Sequence, residues 1–510
     1  MRRTSGILAS TAISLVLGST AAFADLTAAE AWGDWRSYMQ GMGYDLKATE
    51  TVSGNQLTVS DVTIDMDIGD KGGAMRLSMG TLTFVENGDG TVDVITPEVM
   101  PINMLITPES GNPPASIDLS LKHSGMKTTM RGSAEDLTYD SRADSLSVTL
   151  DSMKLGDKAF GAETAKFAMT IADLQSSTQM TVGDLRRYRQ QMSTGAVEYD
   201  ILMAPPEEPQ TVAAKGNLAS MRFDGSGDVP VGMVHGGDMQ KMLDAGFRVD
   251  GRFEVGAGGS EVRMKDPKTD AVINSAASGG SLSVKVGTEG VAYDAVQRDI
   301  DFSMQVVGFP FPIAMQMAEG GFNLQMPVAA DDTVQDFGLG MNLTGFTMAD
   351  ALWGLFDPTG QLPRDPATID IDLSGKVKML IDMMNPEAAE TLAAQGGHPA
   401  ELHGVTVNTL LVEAVGAKLT GAGAVNFDNA DMQTYAGMPK PVGEINLALS
   451  GGNALIDKLV GMGLLPQEQA MGARMMMGLF AVPGDAPDTL KSKIEFNDAG
   501  QILANGQRIR

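Results

Sequence analysis

The chain has 510 residues, with 37 Lys+Arg against 64 Asp+Glu (net -27) and no cysteine. That balance excludes nucleic acid and anionic headgroups as partners of a general basic surface. The missing thiols exclude disulfide staples, zinc-thiolate sites and a lipid-modified cysteine.

Hydrophobic residues are 43% and charged residues 20%, so the chain folds, either as two to four packed units or as one elongated sheet system. Methionine is abundant at 36, an adaptable core filler that also suits surfaces receiving variable apolar ligands. The acidity is read as serving solubility, with a basic protein partner as the alternative.

The N-terminus reads as a signal peptide. Arg2 and Arg3 precede an apolar run from Ile7 to Gly18, and Ala22-Phe23-Ala24 is a cleavage site that leaves Asp25 first. Removal of the two arginines leaves 35 basic against 64 acidic residues, or -29. No later stretch is apolar for the 18 or more residues that a span needs, so no transmembrane anchor is expected after cleavage. The expected location is the periplasm, with secretion as the alternative.

A helix is expected from Asp25 to Gly43. Thr27 and Glu30 fit a capping box, and Trp32, Trp35 and Met39 share one face. Core docking is the plainer reading of that face, and a membrane-surface or partner helix the functional one. After Asn55 the period becomes two. Leu57 and Val59 alternate in one register, and Val62, Ile64, Met66 and Ile68 in the other, which requires a bulge near Ser60 or Asp61. Gly80 marks another shift, and Glu86 to Gly90 reads as a hairpin turn because its acids lack EF-hand spacing.

The alternation recurs at Ile117/Leu119/Leu121, Leu146/Val148/Leu150, Ile300/Phe302/Met304/Val306, Phe337/Leu339/Met341/Leu343 and Ile445/Leu447/Leu449, with polar residues between. The expected fold is mainly β: large antiparallel, bulged and curved sheets forming a groove or sandwich, with short capping helices. Those helices are expected at Asp184 to Met192, Asp238 to Ala245, Thr347 to Phe356, Glu387 to Gln395, Ala454 to Met462 and Gln467 to Phe480. Pro-rich joints at Ala204 to Pro209 and Asp357 to Pro366 suggest β-rich regions over 25–203, 210–356 and 367–510, after a signal peptide at 1–24.

Chemistry is sparse. His398 and His403 are five apart, about 140° around a helix, and miss zinc-protease spacing. His123 and His235 are isolated, and there is no nucleophile elbow. Gly256-Ala-Gly-Gly259 lacks the residues of a P-loop or dinucleotide fingerprint and reads as a flexible turn. Asp65/Asp67 and Asp370/Asp372 each share one side of a strand, as a wetted face does. No catalytic residue, cofactor or metal is expected, and a hydrolase with an unrecognised site is the least supported class.

The most distinctive string is Gly308-Phe-Pro-Phe-Pro312, followed by Met315 and Met317. Proline cannot donate to a ladder, so an edge or bulge is expected there, either as a buried crossover or as the lip of an apolar site. The candidate contacts for an apolar ligand are Phe309, Phe311, Met315, Met317, Phe322, Leu324 and Met326.

Three stretches together carry a resemblance: Gly308 through Pro327, Phe356-Asp-Pro-Thr-Gly-Gln-Leu-Pro-Arg-Asp-Pro366, and Leu490 to Gly500 with Ala504-Asn-Gly-Gln507. The chain resembles the domain of unknown function 2125 family of exported alphaproteobacterial envelope proteins, most clearly from Ile300 to Arg510. It is more loosely similar to AsmA-like envelope proteins, whose β-rich grooves handle lipids. The resemblance implies an uncharacterised envelope protein and brings no catalytic residues. Two functions are therefore carried forward: binding or carriage of an apolar ligand such as lipid in a β-sheet groove, and a structural or assembly role through contacts with an envelope protein partner.

Overall fold

A computed structural model describes residues 25–68, 73–109, 111–205, 209–232 and 239–510. The signal-peptide reading with Ala22 and Ala24, and His235, lie outside the described residues. The chain is 61% strand and 11% helix, and its strands belong to one antiparallel sheet.

The chain opens with α1 (Ala28–Gly41). Glu30 N–H donates to the Thr27 hydroxyl at 3.2 Å and Thr27 N–H donates to the Glu30 carboxylate at 2.9 Å, so the capping box forms. Next come β1 (Asp45–Ser53), β2 (Gln56–Asp67), β3 (Ala74–Met79), β4 (Leu82–Glu86), β5 (Thr91–Ile95), β6 (Val99–Thr107), β7 (Ala115–Ser124), β8 (Lys127–Ser133) and β9 (Asp136–Leu155). β2 pairs with β3 along one half and β4 along the other, and β9 likewise takes β7 and β8. β3 and β4 are thus the two halves of one extended run, broken only at 80–81. β5 and β6 are broken at 96–98, and β7 and β8 at 125–126.

The same arrangement continues. β10 (Lys158–Phe160) forms a short hairpin on β9, and β11 (Ala165–Val182) pairs along its length. Then follow β12 (Leu185–Thr194) and β13 (Val197–Met203), β14 (Thr211–Leu218) and β15 (Met221–Pro230), α2 (Met239–Asp244), β16 (Arg248–Val255) and β17 (Gly258–Lys265), and β18 (Asp270–Ala277) and β19 (Gly279–Gly287). Both tracks rejoin on β20 (Gly290–Val306), where β18 and β19 take opposite halves.

From there the meander is simple: β21 (Ile313–Met326), β22 (Gln335–Met348), α3 (Asp350–Trp353), β23 (Ala367–Met379), α4 (Pro386–Gln395), β24 (Ala400–Ala414), β25 (Ala417–Asp428) and β26 (Lys440–Ser450). It closes with α5 (Gly452–Gly461), α6 (Gln467–Phe480), β27 (Val482–Pro483), β28 (Thr489–Phe496), β29 (Ile502–Ala504) and β30 (Gln507–Arg508). Both Pro-rich joints connect strands that pair with each other, β13 with β14 and β22 with β23, so the ladder runs on across them.

The strand halves meet along one crease. At three of the crossings an aspartate of the long strand sits in the left-handed region: Asp61 in β2 (φ 52°), Asp173 in β11 (φ 50°) and Asp299 in β20 (φ 48°). Aspartate tolerates that conformation better than most residues with a Cβ. Each crossing reverses the alternation, so Val291, Tyr293 and Ala295 stay on the same face as Ile300, Phe302 and Met304. The bulge expected at Ser60 or Asp61 is the first of these crossings. Gly256-Ala257 is another, between β16 and β17. It is held by Gly256 N–H to the Ser220 carbonyl (2.9 Å) and Ala219 N–H to the Ala257 carbonyl (2.7 Å), and so is no flexible turn.

Two of the expected helices are also corrected. Asp184 to Met192 is not a helix: Leu185–Thr194 is β12, zipped to β11 on one side and β15 on the other. Thr347 to Phe356 splits, because β22 runs to Met348 and only Asp350–Trp353 is helical.

The densest core lies under α1. Trp32, Leu57, Val59, Phe84, Val92, Met130 and Leu137 are buried together. Trp35 meets Phe84 edge-on at 5.4 Å and Tyr139 stacked at 6.5 Å, so the aromatic face of α1 docks on the sheet as the plainer reading expects. A buried ion pair pins the helix further: Arg186 Nη2 donates to Asp34 Oδ1 at 2.7 Å, and the Tyr139 hydroxyl donates to Asp34 Oδ2. Burial and the carboxylate push the Tyr139 phenol well above its ordinary value.

Candidate functional site: an uncovered apolar floor

Directly paired residues of antiparallel strands share a face, so the pairing register reads out what that face presents. Phe223 pairs with Phe253, Phe253 with Leu282, Leu282 with Ala295 and Ala295 with Phe322. The row continues through Met341, Ile371, Leu410, Gly421 and Leu447. A second row beside it runs Val284, Tyr293, Leu324, Leu339, Leu373, Val407, Gly423 and Ile445. The first row crosses ten strands, from β15 to β26, and the second eight, from β19 to β26; together they form a continuous apolar floor.

The floor is uncovered at its centre. Phe253 is 40% exposed, Leu282 41%, Phe322 44% and Met341 38%, where a sandwich interior would bury them. At one end the same face carries α1. At the other it carries α6, whose Met477 and Phe480 lie with Leu419, Leu447, Leu449 and Leu490 around an apolar cavity of about 290 Å³. On the side, α2 packs Leu243 against Val291 and Val328.

Part of the floor is low because glycines leave room for rings to lie flat. Gly225 pairs with Gly251, and the Phe223 ring lies over both. A Cβ on Gly225 would stand 2.4 Å from the ring's ζ carbon. Phe223 and Phe253 rings are 4.5 Å apart.

The structure brings most of the expected contact residues together. Met315 and Met317 pair with Phe302 and Ile300 on one side of the crease, and Phe322, Leu324 and Met326 with Ala295, Tyr293 and Val291 on the other. All five lie on the apolar face of β21. Phe309 and Phe311 do not join them. They form a T-shaped pair, 5.3 Å between centroids, in the turn from β20 to β21. The Phe-Pro string is therefore neither an edge strand nor a buried crossover. It is a hairpin tip on the far side of the crease from the two floor rows, with Phe309 37% exposed. Phe253, Leu282, Tyr293, Leu339 and Met341 complete the floor and were not singled out by sequence. Their signal was the same alternation, but membership depends on register between strands.

Polar groups at the crease pair with one another. A depression of about 1030 Å³ at the crease is lined by Lys127, Arg131, Asp140, Ser177, Gln191 and Asp224, among others. There Arg131 pairs with Asp140, Ser177 Oγ donates to Asp140 at 2.7 Å, and Gln191 donates to Asp224 at 2.8 Å. Asp357 is fully buried. Burial alone would raise its pKa, but N–H donors from Leu362 (2.9 Å) and Gln361 (2.8 Å), with Arg364 nearby, hold it below the usual carboxylate range. That carboxylate organises the 357–366 linker. His403 lies on β24 with Nε2 3.7 Å from Glu401 Oε2. Among the described residues no group of three or more His, Asp or Glu is placed to hold a metal. No helix among them is long and apolar enough to cross a membrane.

These features define an open, single-sheet β protein with an exposed apolar face and helices at its ends. The chain belongs to a family of uncharacterized proteins conserved in bacteria (DUF2125), matched over residues 243–505, a little over half of its length. The matched part holds most of the floor, α6 and the cavity beneath it. The core under α1 lies outside it. No curated protein matches the chain.

Proposed function

We propose that the protein is a non-catalytic, exported carrier that holds lipid acyl chains along the apolar floor between α1 and α6. The observation that carries this reading is the in-register row Phe253, Leu282, Phe322 and Met341, half-exposed where a filled core would bury it. The ten strands of the longer row, at a spacing of about 4.8 Å, make the floor roughly 43 Å long, more than the ~30 Å hydrocarbon thickness of a bilayer. Two acyl chains end to end, or one lipid with room to move, fit that length. The apolar face offers few polar groups, so it selects for hydrocarbon and leaves a headgroup at the margin. A periplasmic location follows from the signal-peptide reading of residues 1–24.

Native mass spectrometry after gentle purification from the cell envelope tests the proposal. Lipid co-purifying with the wild type and lost from Phe322→Asp/Met341→Asp supports it. A lipid-free protein held in a stoichiometric protein complex would favour the assembly-factor reading instead.

A further inference from the structure

The cavity under α6 and the outer face of α6 belong to one element, and they point to the source of the ligand. Twelve of the fourteen residues of this helix carry no charge that could serve a wetted face, and only Ala470 is buried. Met471, Met475 and Leu479, spaced i, i+4 and i+8, face outward, and Met476 sits at the rim, partly exposed and also lining the cavity beneath. Met471 is 66% exposed, Met475 70%, Met476 49% and Leu479 48%. An amphipathic helix normally turns its apolar stripe to the core. Here a second apolar stripe faces away from it. The nearby charge does not interrupt the stripe, because Arg474 turns aside to Asp457 on α5.

The inner side of the helix closes over the end of the floor. Met477 and Phe480 roof the cavity whose base is Leu447 and Leu449, and Leu447 ends the row that begins at Phe223. The helix is tethered at its C-terminal end, where Ser492 Oγ (2.6 Å) and Asn505 Nδ2 (3.0 Å) both donate to the Phe480 carbonyl. Within the helix, Gly472 and Gly478 have open space at the Cβ position and lower its stiffness.

We propose that α6 is the surface by which the protein sits on a bilayer of neutral lipid, with the cavity beneath it as the passage for an acyl chain onto the floor. The second half of this proposal rests on the carrier reading above. Bilayer insertion needs only apolar area, which the Met stripe supplies. A protein interface would be expected to add Trp, Tyr or Arg anchors, and the stripe has none. Net charge -27, with the nearby cations Arg474 and Lys491 each paired to an aspartate (Asp457 and Asp485), assigns the bilayer as neutral rather than anionic.

Flotation of the full mature chain with phosphatidylcholine vesicles tests the docking. The wild type should float, and less so when an anionic lipid is added. Met471→Glu/Met475→Glu should weaken flotation by about tenfold or more, while Met471→Leu/Met475→Leu keeps it. Binding of a soluble fluorescent fatty-acid probe, measured in parallel, should be the same in all three. A wild type that stays with the soluble fraction, a Glu variant that floats unchanged, or self-association abolished by the Glu pair would overturn the docking. Probe binding without flotation leaves the carrier reading standing and removes the docking. Flotation without probe binding does the reverse.

Discussion

Replacing Arg186 by Met should release α1 from the sheet. The Arg186 and Asp34 side chains are 8% and 5% exposed, and Arg186 also lies 5.0 Å from the Tyr38 ring centroid. Without the guanidinium, the Asp34 carboxylate keeps only the Tyr139 hydroxyl as partner. Breaking a buried pair on one side costs about 3–5 kcal/mol, because a charge is left without compensation. Replacing both members by apolar groups, Asp34→Leu with Arg186→Met, should recover most of that loss. Urea unfolding followed by tryptophan fluorescence reports on this region, since Trp32 and Trp35 lie on α1. A single variant that loses less than about 1 kcal/mol, as an exposed pair would, refutes the claim that this contact is buried and holds the helix. So does a double variant no better than the single.

Other perturbations follow from the same geometry. Raising pH should loosen α1: the Tyr139 phenol is raised in the folded state, so its contribution is complete below the ordinary value of about 10 and is lost as pH climbs toward the folded one, as the same fluorescence would show. Thr27→Ala should cost about 1 kcal/mol by removing half of the capping box, read by the same urea titration. Asp299→Val should destabilise the ladder by roughly 1–3 kcal/mol, because a β-branched residue resists a φ of 48°, while Asp299→Gly should be tolerated; thermal melts by circular dichroism separate them. Asp357→Asn should speed hydrogen exchange of peptides covering 357–366 and leave β20 to β22 unchanged, since the loss is of a carboxylate accepting two local N–H groups.

Much of the architecture was legible because two-residue periodicity is written into each strand separately. The shift between Val59 and Val62 announced the crease, and Thr27 with Glu30 announced α1. Gln467 to Phe480 was readable as a helix because glutamine, alanine and methionine favour one. Asp184 to Met192 misled because Leu185, Tyr188 and Met192 also fit helical spacing. What decides for β12 is the pair of neighbours, β11 and β15, that zip it on both edges, and such tertiary pairing overrides local propensity. The Phe-Pro string looked like a site in itself because proline and aromatics stand out along a chain. It proves to be a hairpin tip, and the floor is built by less conspicuous residues such as Leu282 and Met341. Whether such residues line up depends on register across nine strand pairings, one of them between β16 and β19, which are not consecutive in the chain, and no single strand encodes that. Likewise, nothing in the order of methionines in α6 distinguishes an inward from an outward stripe until the helix is placed on β25, β26 and β28.

Photo-crosslinking on the floor tests the central claim most directly. A photoreactive residue placed singly at 253, 282, 322 or 341 should capture lipid in the cell envelope. The same residue at 323 or 325, on the opposite face of β21, should capture none. Equal capture from both faces, or protein adducts alone from the first four positions, would contradict the account.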